Sequence, residues 1–166
     1  MASKESSFDV VSQVDMQEVD NAYQQAAKEL TQRYDLKDAG ASIELNKQAA
    51  TVTVAAPSAF VASQVVDVFT TRLVRRKVDL GSFKWSDPAP ASGGSVRVTG
   101  TIVQGIEQDV AKKISKDVRD AKFKAKVTVE GDKLKVSSPS KDTLQEVIAF
   151  LREKDYGLPL QFVNYR

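Results

Sequence analysis

Residues 127–151, VTVEGDKLKVSSPSKDTLQEVIAFL, decide how this chain is read. Val127 and Val129 alternate with polar residues, Gly131 and Asp132 mark a turn, and Leu134 and Val136 resume the alternation. That is the pattern of a hairpin with one face buried. Pro139 stops the second strand, and Ser140 is placed to cap a helix whose apolar face is Leu144, Val147, Ile148 and Leu151. The same succession lies 82 positions upstream, where Val52 and Val54 match Leu134 and Val136, and Pro57 and Ser58 match Pro139 and Ser140. Val65 and Val66 then fall on Val147 and Ile148. The chain reads as an internal duplication.

At 166 residues, with 42% hydrophobic and 28% charged, the composition is that of a globular protein. The length holds one medium domain or two small ones, and the duplication favours two. With no cysteine and no histidine, thiolate nucleophiles, disulfides, imidazole bases and the commonest metal ligands are excluded. The start MASKESSFD is polar, so a cytoplasmic protein with no signal peptide and no membrane partner is expected. Net charge is +2, with 10 basic and 12 acidic residues over 1–90 against 14 and 10 over 91–166. That asymmetry is too mild to indicate nucleic acid by itself.

In chain order, a strand at residues 8–14 leads into a helix capped by Asp15, with Glu18 in the position of a capping box. Val19, Tyr23, Ala26, Leu30 and Tyr34 recur at helical spacing. A hairpin follows, with Ile43 and Leu45 on one strand, Val52 and Val54 on the next, and a turn at Asn46 and Lys47. A helix from about Ser58 to the Arg75–Lys77 cluster and a strand near residues 80–85 close the first half. Asp87 to Gly94, DPAPASGG, is linker-like. The order then repeats: a strand at Val96 and Val98, a helix over residues 105–121 with Ile106, Val110, Ile114 and Val118 on one side, the quoted hairpin and helix, and a last strand at 160–165. The fold class is therefore α+β, a tandem of two ferredoxin-like βαββαβ units, each a four-stranded antiparallel sheet with both helices on one face. The expected domains are residues 1–87 and 95–166, joined by a linker at 88–94.

The segments SFDVVSQVD (7–15), RLVRRKVDL (72–80), QGIEQDVAKKI (104–114) and LPLQFVNYR (158–166) together resemble the YajQ family over nearly the whole chain. The resemblance implies a bacterial cytosolic protein with two ferredoxin-like domains in tandem and first strands exchanged between them. It implies nucleotide binding, in some members of cyclic di-GMP with transcription regulators as partners, and RNA binding. Members usually carry glycine where Lys77 stands, and the loop at residues 34–39, YDLKDA, also departs from their pattern.

The motifs weigh differently. The third strands, TVTVA (51–55) and KLKVS (133–137), hold no aromatic residue for stacking bases, so RRM-style reading of RNA is disfavoured. No phosphate-loop glycine motif occurs. Arg72 and Arg76 have the spacing of an R-x-x-x-R run, and Arg76 with Asp79 and Arg152 with Asp155 fit R-x-x-D; arginine forks match phosphate oxygens. A cyclic dinucleotide needs cationic forks and flat surfaces together. Arg72, Arg75 and Arg76 with Phe83 and Trp85 are the nucleotide-binding candidates. Arg72 and Arg76 project onto the apolar side of their helix, where stems crossing the core to reach water are the plainer account. Lys112, Lys116 and Arg119, opposite Ile114 and Val118, form a candidate phosphate or nucleic-acid patch, with a solvated helix face as the plainer account. Near the end, Leu160, Phe162 and Val163 read as packing residues and Gln161, Asn164 and Arg166 as reaching a surface or ligand. No pair of carboxylates is placed for acid–base work, so no enzyme, cofactor or metal is expected. The readings are a nucleotide-binding protein relaying the state of cyclic di-GMP to a protein or DNA partner, an RNA-binding module, or an interaction scaffold without a nucleotide.

Overall fold

In the computed structural model, residues 5–166 are described; residues 1–4, where the polar amino-terminal start was read, lie outside them. The strands are β1 (Ser6–Val11), β2 (Ser42–Asn46), β3 (Thr51–Ala56), β4 (Phe83–Trp85), β5 (Ala89–Pro90), β6 (Val96–Ile102), β7 (Lys126–Glu130), β8 (Lys133–Ser138) and β9 (Gln161–Val163). The helices are α1 (Met16–Gln32), α2 (Ala59–Arg75), α3 (Gln108–Asp120) and α4 (Lys141–Arg152). Asp15 Oδ1 caps α1 by accepting from Gln17 N at 3.1 Å and Glu18 N at 3.3 Å. Among the described residues no Glu18 side-chain bond to Asp15 N closes the expected capping box. Glu18 turns its carboxylate to Asn21 at 2.8 Å and to Arg76 instead. Ser58 and Ser140, matched by the duplication, both act as caps, accepting from Val61 N at 3.2 Å and Thr143 N at 3.3 Å.

The strands form two antiparallel sheets, β7-β8-β1-β9 and β2-β3-β6-β4, with β5 paired to β6. The first strands are exchanged. β1 lies between β8 and β9, with Phe8 opposite Val136 and Val10 opposite Leu134 and Phe162. β6 lies between β3 and β4, with Val98 opposite Val54 and Gly100 opposite Val52 and Trp85. The compact units are accordingly a central one, Val14–Val103, and a terminal one made of the chain up to Gln13 with Gln104–Arg166. A split into 1–87 and 95–166 does not follow this pairing. Nor is 88–94 a free linker, because β5 within it pairs Ala89 with Arg97 and Pro90 with Val96.

Each unit has its own core. In the terminal unit Phe8, Val10, Ile114, Leu134, Val136, Val147 and Leu151 are buried together. In the central unit Val19, Val52, Val54, Val65, Phe69, Leu73 and Phe83 are. The repeated positions Val52, Val54, Leu134 and Val136 are all 0% exposed, each contributing about 1.5–3 kcal/mol by burial. Helix α1 ends before Tyr34, which is solvent-exposed rather than part of the apolar face. Helix α3 begins at Gln108, so Ile106 is buried from the loop before it. No helix among the described residues is long and apolar enough to cross a membrane.

Candidate functional site

Helix α2 continues through Arg72 and ends at Arg75, with Arg76 as its C-cap, and the heads of Arg72 and Arg76 must leave the core. They do so by crossing to α1. Arg72 Nη2 lies 3.3 Å from Glu29 Oε1. Arg76 donates from Nε to Gln25 Oε1 at 3.1 Å and from Nη1 to Glu18 Oε1 at 3.4 Å. Two shallow grooves result. One of about 300 Å³ includes Glu29, Arg33, Asp67, Arg72 and Arg75 in its walls; the other, about 470 Å³, includes Glu18, Gln25, Arg72, Arg75, Arg76 and Lys77. Among the described residues no ion pair engages Arg75 or Lys77. Lys77, at φ 62°, holds the left-handed backbone that favours glycine, the residue expected there by resemblance.

Phe83 and Trp85 are not among the residues that line those two grooves. Phe83 is 5% exposed and stands edge-on to Phe69, with ring centroids 5.8 Å apart. Trp85, half-buried, stacks at 6.2 Å on Phe83 and covers Gly100, where a Cβ would come within 2.7 Å of the ring. Both rings serve the core, and neither lines either groove.

On α3, Lys112, Lys116 and Arg119 are exposed, opposite buried Ala111, Ile114 and Val118. Phe123, the aromatic nearest them in sequence, packs on Phe150 at 5.3 Å. The neighbouring Tyr156 hydroxyl donates to Asp117 Oδ2 at 2.7 Å, and its pKa is raised by burial first and by Asp117 second. That corner is structural.

The sequence did not single out a pocket of about 270 Å³ in the terminal unit, lined by Ser6, Ser7, Lys141, Leu144, Gln145, Tyr165 and Arg166. Arg166 and Ser7 exchange two backbone hydrogen bonds, at 3.2 and 2.9 Å, which carry the chain end along β1 to the start of α4. Tyr165 rests 6.2 Å from Phe8 yet is 58% exposed. Of the three polar residues read near the end, Arg166 alone reaches this pocket. Gln161 bonds both backbone groups of Gln13, and Asn164 bonds Asp9. The signal that could have found the pocket is Lys141, a cation at the first position of α4, where it gains nothing from the helix dipole.

Among the described residues no cluster of carboxylates is placed to hold a metal ion. The chain matches the family model described as nucleotide-binding protein YajQ-like over residues 6–166. It is 44% identical over 164 residues to a "Nucleotide-binding protein" of Desulfitobacterium hafniense, covering 99% of each chain. It is 49% identical over 163 residues to a protein of the same name from Nocardia farcinica, covering 98% of this chain and 99% of the relative.

Proposed function

Because this chain belongs to the YajQ-like family of nucleotide-binding proteins, we propose that it binds a nucleotide and meets its phosphates at the carboxyl end of α2. The observation that carries this is the convergence of Arg72, Arg75, Arg76 and Lys77 on one groove, with Arg75 and Lys77 outside any ion pair among the described residues. Guanidinium groups bind phosphate oxygens through charge-assisted forks, and Arg72 and Arg76 are already held in place by α1. The reading extends to cyclic di-GMP, whose two phosphates suit a row of cations, and to a cytoplasmic role in which ligand state is relayed to a transcription regulator. With Phe83 and Trp85 in the core, the groove contributes charge and hydrogen bonds rather than stacking.

Titration calorimetry with cyclic di-GMP, GTP and ATP tests this. One of them binds saturably, and Arg75→Ala weakens it about tenfold, the loss of about 1.4 kcal/mol. Saturable binding indifferent to Arg75→Ala and Arg76→Ala would move the site elsewhere, and no saturable binding would end the nucleotide reading.

A second reading, RNA bound through phosphates, is favoured by the exposure of Lys112, Lys116 and Arg119 on one side of α3. It requires affinity that falls steeply with salt, and a slope that flattens in Lys116→Ala.

A further inference from the structure

We propose that the pocket between β1, the first turn of α4 and the chain end is a site for a nucleoside monophosphate, with the base on Tyr165 and the phosphate between Lys141 and Arg166. The proposal rests on the nucleotide reading above and assigns it a second site, one with the flat surface that the α2 groove lacks. Tyr165 is anchored against Phe8 at 6.2 Å while 58% of it remains exposed, so a held ring offers area for stacking. Base stacking on an aromatic ring contributes about 1–3 kcal/mol per base.

The charge balance differs from that of the α2 groove. There Glu18, Glu29 and Asp67 share the walls with the arginines. Here the lining holds two cationic side chains, Lys141 and Arg166, and no carboxylate side chain. Asp9, a buried acid on β1, is bonded by Asn164 at 2.8 Å and paired with Lys133 at 3.6 Å; it feels the charge of Arg166 but is not in the lining. Arg166 is fixed through its backbone by the two hydrogen bonds to Ser7, so less ordering remains to oppose binding. Gln145 and the hydroxyls of Ser6 and Ser7 supply donors and acceptors for a base edge or ribose.

Size decides the class. At about 270 Å³ the pocket is just under the range of about 300–1,000 Å³ usual for small-molecule sites. One base and sugar fill it, with the phosphate at its mouth. A whole dinucleotide does not.

The test uses the full chain and GMP, guanosine, ribose 5-phosphate and inorganic phosphate as separate probes, followed by calorimetry and by the NMR signals of the Gln145 side-chain amide and the Tyr165 ring. GMP is expected to bind more tightly than any fragment and to shift both signals. Tyr165→Ala should weaken GMP and guanosine about tenfold while leaving inorganic phosphate unaffected, and Lys141→Gln should weaken GMP and ribose 5-phosphate but not guanosine. Lys28→Gln, a surface cation of the other unit, serves as the charge control. If nucleotides bind the parent but Tyr165→Ala and Lys141→Gln bind them equally well, the pocket is wrong and the nucleotide reading stands. If the parent binds no nucleotide at all, both fall.

Discussion

The side-chain amide of Asn164 donates to Asp9 Oδ2 at 2.8 Å, tying the residues beyond β9 to a buried carboxylate on β1, 155 positions away in the chain. Asn164 reaches it from a left-handed backbone, φ 57°, which asparagine tolerates better than most residues. Asn164→Ala loses the bond and keeps the backbone strain, and should cost about 1.5–3 kcal/mol, the range for a hydrogen bond to a charged group. Asn164→Gly loses the same bond but fits the backbone, so its denaturation midpoint should fall between those of the parent and the alanine variant. A glycine variant less stable than the alanine one would mean that the strain is not there.

The same contact sets a pH dependence. The Asn164 hydrogen bond first, and then Lys133 and Arg166, hold the Asp9 carboxyl below its ordinary 3.8, against the opposing effect of burial. A depressed carboxyl pKa contributes stability above the unfolded value, lost as pH falls through the folded one. The parent should therefore lose stability below about pH 4, and Asp9→Asn should flatten that slope while lowering stability at neutral pH. Urea midpoints at a series of pH values measure both. Parallel pH profiles for parent and variant would remove Asp9 from the account.

Gly100 and Trp85 show why each first strand suits its own slot. By the repeat, Val10 on β1 holds the place that Gly100 holds on β6, since Val10 faces Leu134 and Gly100 faces Val52. Trp85 occupies the space where a side chain at 100 would stand, with ring atoms 2.7–2.9 Å from its Cβ. Gly100→Val should thus cost about 1–3 kcal/mol by overpacking and shift the emission of the single tryptophan. Adding Trp85→Leu should recover much of that loss, and two additive penalties would contradict the pairing.

What the sequence made legible was whatever repeats locally. The hairpin and helix at 127–151, their copies upstream, both serine caps and the order of elements follow from spacing of two and three to four residues. What stayed hidden depends on partners distant in sequence. Trp85 and Phe83 look like stacking surfaces until Gly100 and Phe69 are seen beside them. Arg72 and Arg76 look like core intruders until Glu29, Gln25 and Glu18 of α1 meet them. Lys141 and Tyr165, 24 positions apart, share a pocket only because the end of the chain runs beside β1.

Phe162 illustrates the limit in energetic terms. Alternation marks it as a buried aromatic, for which truncation costs about 3–5 kcal/mol. It is instead half-buried, edge-on to Phe8 at 5.9 Å, with the Arg152 guanidinium 5.5 Å from its ring. Phe162→Ala should cost less, about 2–3 kcal/mol, and Phe162→Leu little. A loss near the top of the fully buried range would show that the ring packs more deeply than its exposure indicates.

The exchange of strands makes a sharper prediction about fragments. Residues 14–103 contain every strand of the central sheet, whereas 1–87 lacks β6 and keeps β1, the strand that belongs to the other sheet. Without β6, the inner edges of β3 and β4 lose their partner, and Val98 and Ile102, 6% and 4% exposed, leave the core. Two such residues contribute about 3–6 kcal/mol by burial, a large share of the roughly 5–15 kcal/mol that holds a domain together. β1 could enter the empty slot, but Val10 would then meet the Trp85 ring where only glycine fits. Fragment 14–103 should melt cooperatively as a monomer, and 1–87 should not. Trp85→Leu in 1–87 should restore part of the cooperativity by making room for Val10. If 1–87 melts as sharply as 14–103 with Trp85 in place, the two slots are interchangeable, and the Gly100–Trp85 contact does not select the strand.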